Sequence, residues 1–121
     1  MAADTRSRSP YGAPVAYDED LEQRVRALLG GRDVSERRMF GGHAFLVGGS
    51  MCVAAGEGGL MVRVDPGEAE ALLQQPGVEQ VVMGSRAPMR GWVRVDSAAL
   101  AQEQTLDAWV QRGVTAAASR H

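Results

Sequence analysis

There is no lysine in this sequence; all 13 of its Lys-or-Arg positions are arginine. GC-rich codons account for that bias without a functional cause. The absence also removes the Walker phosphate loop, which needs its lysine at the phosphates. Cysteine occurs once, as Cys52, which excludes an intramolecular disulfide and fits a reducing compartment. No apolar run approaches the roughly 18 residues of a membrane span, and the N-terminus lacks the apolar segment of a signal peptide. A cytoplasmic location with no membrane partner is the expectation. Net positive charge is missing too: the formal charge is -2 and the pI about 5.6. A dedicated duplex-DNA binder is usually basic, so nucleic acid is a disfavoured partner, possible only through arginines segregated on one face.

A catalytic constellation is equally absent. The two histidines are His43 and the terminal His121, and no Asp, Glu or Cys spacing completes a metal or acid–base site around them. His43 therefore reads as structural. Cys52 lies in an expected strand without a paired base or oxyanion site, so it reads as an inert thiol. No catalytic residue, metal ligand or cofactor is expected, and the chain reads as a non-enzyme.

What is present is one domain's worth of periodic segments. The chain has 121 residues, 45% hydrophobic and 23% charged, enough for one core and too few for two. Residues 1–16, with Ser7, Ser9, Pro10, Gly12 and Pro14, read as a disordered tail; residues 17–121 read as a single domain. A helix is expected from Asp18, with Leu21, Val25, Leu28 and Leu29 on one stripe and Gly30-Gly31 ending it. Strands follow at 34–40, 43–47, 51–55 and 60–64, joined by glycine turns. Gly41-Gly42 links the first two, and at least one of that pair is expected to need positive φ. Asp65-Pro66-Gly67-Glu68 is a helix start with a capping aspartate and proline in the first turn. Residues 78–83 suit a short strand or extended loop, 84–88 a loop, and 92–95 a strand. A last helix spans about 105–118, with Leu106, Trp109, Val110 and Gly113 inward.

Short glycine connections imply an antiparallel sheet. The expected fold is therefore α+β: a two-layer domain whose helices pack on one face of that sheet. Alternation assigns the faces. Leu60, Val62, Val64, Val93 and Val95 lie beneath the helices; Met61, Arg63, Trp92 and Arg94 lie on the opposite, open face. Either Arg37 or Arg38 joins them, depending on register. With Arg90, these residues are the candidate partner-binding set, mixing guanidinium forks with an aromatic ring and a thioether. The competing reading is cross-strand ion pairing with Glu36, Asp65 and Asp96. Trp92 on an open face is costly to leave in water, which points to a protein partner or a homo-oligomer as its cover.

Several segments together resemble the N-terminal domain of the TfoX/Sxy family: the Leu21-to-Leu29 helix with Arg24-Val25-Arg26, Arg38-Met39-Phe40-Gly41-Gly42, Ala44-Phe45, Gly59-Leu60-Met61-Val62-Arg63-Val64 and Met89-Arg90-Gly91-Trp92-Val93. The resemblance implies a compact α+β domain. Full-length members are competence regulators in which this domain precedes a helical one, for which this chain has no room. No catalytic residues carry over. The leading expectation is a non-enzymatic regulatory or interaction module using the open face. A nucleic-acid-associated transcription or competence regulator comes second. A small-molecule enzyme comes third.

Overall fold

The computed structural model describes residues 19–39, 42–56, 58–82 and 89–119. The expectations for the tail at 1–16, for Gly41 and for the loop at 84–88 lie outside them.

Helix α1 spans Glu19–Leu29. Its stripe of Leu21, Val25 and Leu29 is buried, and Gly31, at φ 91°, turns the chain away after it. Strand β1 (Val34–Met39) pairs antiparallel with β2 (Gly42–Val47). Gly48 and Gly49, both at positive φ, then form a two-residue turn into β3 (Ser50–Gly56). Two successive left-handed residues match the twist of a hairpin and are strained for anything but glycine or a small polar residue. Strand β4 (Gly59–Arg63) follows.

Helix α2 (Pro66–Leu72) begins as its sequence demands. The Asp65 carboxylate accepts from the Gly67 N–H at 3.0 Å, and Pro66 occupies the first turn. Strand β5 (Val78–Gln80) is short, β6 spans Trp92–Asp96, a 3-10 turn covers Ser97–Leu100, and α3 spans Glu103–Ala118. The six strands form one sheet in the order β1-β2-β3-β4-β6-β5, and every pairing is antiparallel. The fold is α+β.

Register places Val53, Val62 and Val93 side by side, and Ala55, Leu60, Val95 and Val78 in the next row. All are buried in one cluster with Leu21, Val25, Leu29, Leu106 and Val110 from the helices. The helix-side face expected from alternation is this one. Close approach of α3 to β3 depends on Gly113, where a Cβ would stand 2.5 Å from the Cys52 carbonyl oxygen and 2.9 Å from Val53.

Of the Gly41-Gly42 pair, Gly42 alone lies within the described residues. Gly42 is not among the positive-φ glycines. It belongs to β2, and a Cβ there would meet the Ala55 carbonyl oxygen at 2.3 Å and the Gly56 Cα at 2.9 Å. Steric proximity of β3, rather than a left-handed backbone, requires glycine at this position.

Candidate functional site: the arginine face of the sheet

The register settles which of the paired arginines joins the second face. Arg37 stands opposite Ala44, Ala44 opposite Ala54, Ala54 opposite Met61, Met61 opposite Arg94, and Arg94 opposite Glu79. One row thus crosses all six strands, with arginines near both ends and alanines between. Arg37 is exposed, Met61 and Arg94 half-buried, and the two alanines buried. Arg94 packs against the turn before β4: a Cβ at Gly58 would lie 2.7 Å from its Nη2. Arg38 faces His43 on the helix side instead. Arg90 is exposed in the turn before β6, off the row.

Trp92 corrects an expectation. It lies on the second face, opposite Arg63, but is only 5% exposed. The Arg63 guanidinium sits over its ring, 4.8 Å from the centroid, while Arg63 Nε donates to the Met51 carbonyl at 2.7 Å. A cation held over an indole by a backbone acceptor shields the ring within the chain. Trp92 therefore needs no partner to cover it, and the exposed-anchor argument falls.

The three carboxylates expected to pair with these arginines hold other partners, and Arg94 instead stands opposite Glu79 of β5. Asp65 caps α2, and Asp96 caps the 3-10 turn by accepting from the Ala98 N–H at 3.1 Å. Glu36 accepts two hydrogen bonds from Arg26 of α1, both at 2.8 Å. Local capping needs only neighbouring backbone, so it captures Asp65 and Asp96 before a distant guanidinium can.

Glu36 belongs to a cluster that sequence reading missed. His43 Nε2 lies 2.6 Å from Glu36 Oε1, and His43 Nδ1 lies 3.9 Å from Glu22 Oε1. The imidazole is tilted against Phe45 at 5.3 Å between centroids. The hydrogen bonds from Arg26, and then that with His43, hold the Glu36 carboxyl down at about 2, while Glu36 raises Arg26 above its ordinary value. Glu22 Oε2 and His43 Nδ1 are buried without hydrogen-bond partners. The i, i+4 spacing of Glu22 and Arg26 on α1 was the available signal. The cluster ties α1 to the β1–β2 hairpin, a structural use of His43. Arg24 ties α1 to the 3-10 turn, donating to the Leu100 carbonyl at 2.8 Å, and to α3 by pairing with Glu103 at 3.3 Å.

Two other chemistries can be placed. Burial pushes the Cys52 thiol up to about 11, and its Sγ donates to the Phe45 carbonyl at 3.4 Å; a thiol held protonated is a poor nucleophile. A groove of about 510 Å³ runs between α2 and α3, bordered by Asp65, Pro66, Glu68 and Arg112. Arg112 and Glu68 pair with each other beside it at 2.9 Å. Among the described residues, no group of three or more His, Cys, Asp or Glu side chains is placed to hold a metal ion. Among the described residues, no helix is long and apolar enough to cross a membrane.

The family model of the TfoX N-terminal domain matches residues 26–117. The chain belongs to the TfoX N-terminal domain family. That match runs from within α1 to nearly the end of α3, so this TfoX N-terminal domain contains both the aliphatic layer and the arginine face within its family's bounds. No curated protein and no solved structure matches the chain.

Proposed function

We propose that this TfoX N-terminal domain is a non-enzymatic regulatory module of the cytoplasm that binds a protein partner through the second face of its sheet. The observation that carries the reading is the Arg37–Met61–Arg94 row. The row lies on a sheet whose opposite face is already filled, and Arg37 at its open end is exposed. Guanidinium groups beside a thioether over small residues suit an acidic protein surface. Arg38 and Arg90 are outside this row, Arg63 and Trp92 next to it. His43 and Cys52, the candidates for chemistry, are engaged in packing and ion pairing.

Family membership supports a second reading, a nucleic-acid-associated regulator of transcription or competence. Net charge opposes it. One experiment separates the two. Wild-type chain and the Met61→Ala/Arg94→Glu double variant are used to capture partners from host extract, with and without nuclease. A protein lost with the double variant but retained after nuclease supports the first reading. A salt-sensitive mobility shift on DNA or RNA, abolished in the same variant, supports the second. Equal capture by both proteins, with native circular dichroism, would remove the face from consideration.

A further inference from the structure

Among the described residues the sheet ends at β1. Within them β1 has β2 as its one neighbour, so the far side of a six-residue strand presents backbone N–H and C=O groups outside any ladder. Glu36 shows this directly. The residue is exposed although its side chain is only 29% exposed and bound by Arg26 and His43; the open part is main chain. Such an edge is a template for one more strand.

A second copy of the chain is a poor occupant, for a geometric reason. Two β1 strands related by a two-fold axis in one continuous sheet keep every side chain on its own face. Directly opposed residues share a face, so some residue must meet its own copy on the axis. The longest overlaps put that axis at Glu36 or Arg37, and the next shift toward the C-terminus puts it at Arg38. Each sets like charges opposite each other, which destabilises the pair, and the equivalent shift toward the N-terminus, with Ser35 on the axis, pairs only residues 34–36 of β1. The Arg37 register would bring Glu36 opposite the copy's Arg38, but Glu36 already holds two hydrogen bonds from Arg26. The order Glu-Arg-Arg in mid-strand thus guards the edge against itself.

A different protein escapes this constraint. We propose that β1 docks an extended acidic segment of another protein, which continues the sheet and sets a carboxylate beside Arg37 on the second face. Main-chain hydrogen bonds supply the attachment, and the exposed Arg37 selects negative charge. This rests on the interaction-module reading and moves the contact from the face to the edge.

The test uses the full chain and a fluorescein-labelled peptide of alternating valine and glutamate, whose carboxylates all lie on one face of a strand. Anisotropy should report binding that Arg37→Glu weakens by about tenfold or more. N-methylation of alternate peptide amides should abolish it, because it removes the donors of one edge. Hydrogen exchange should slow in β1 when peptide is added. No binding, binding unchanged by Arg37→Glu in a variant of native circular dichroism, or binding indifferent to N-methylation overturns the proposal. So does full protection of β1 amides in the free chain. Sedimentation would then separate a second copy on the edge from residues 1–18 of the same chain. If the peptide fails while Met61→Ala/Arg94→Glu still loses its host partner, the edge is wrong and the face reading stands.

Discussion

The two faces of this one sheet solve burial in opposite ways. On the helix side, rows of Val, Leu and Ala close against α1 and α3, and many of these residues have no exposure at all. On the other side the same strands present arginines, a methionine and two small alanines, and the large aromatic is covered by an arginine. Aliphatic packing is non-directional, so the first face needs only apolar residues of suitable volume. The second relies on directed contacts, each tied to one acceptor or one ring. Stability should therefore concentrate on the first face, and specificity on the second.

The contrast breaks most visibly by truncating neighbours in one strand. Leu60→Ala should cost about 3 kcal/mol, since Leu60 is fully buried and the cavity is not refilled. Met61→Ala, one residue along on the other face, should cost less than about 1 kcal/mol. Urea unfolding of both variants checks this. Equal losses would mean that the second face is as tightly packed as the first.

A Cβ at the point of closest approach between layers should cost somewhat less, because backbone can shift. Gly113→Ala sets a methyl 2.5 Å from the Cys52 carbonyl oxygen, and a loss of about 2 kcal/mol is expected. Gly42→Ala should show a loss of the same order within the sheet, from the Ala55 carbonyl. Gly42→Ser should be no better than Ala, because the obstacle is steric and not a left-handed φ. A neutral Gly42→Ala would refute the steric account.

The smallest effect sharpens the comparison at the boundary where α1 meets the hairpin. The Glu36 carboxyl is lowered from 4.5 to about 2 by Arg26 and His43. A depressed carboxyl contributes stability that is fully present above the unfolded value and is lost as pH falls from about 4.5 toward 2. With the side chain 29% exposed, screening leaves about 1 kcal/mol of this. Glu36→Gln should lower stability by that amount at pH 7 and flatten the acid limb of the stability profile. Parallel profiles for wild type and variant would show the cluster to be energetically idle.

Much of the architecture was readable from residue order. The α1 stripe, the Gly48-Gly49 turn, the Asp65-Pro66 helix start and the valine alternation each report a local constraint, carried by backbone geometry within a few residues. The candidate site was legible in composition but not in state. That Met61, Arg63, Trp92 and Arg94 share a face follows from alternation. That Trp92 is shielded by Arg63, with Arg63 anchored on Met51, depends on the neighbouring strand. The fate of Glu36 was likewise hidden, because its partner Arg26 sits on another element.

Sequence alone thus determined the type of each element and the two-sided character of the strands, because side-chain period and turn chemistry are local properties of the chain. Tertiary structure decided the register that sends Arg37 to one face and Arg38 to the other, the close approach that demands Gly42, and the placing of β1 at the edge. Those outcomes depend on which strands become neighbours, and long-range packing sets that choice.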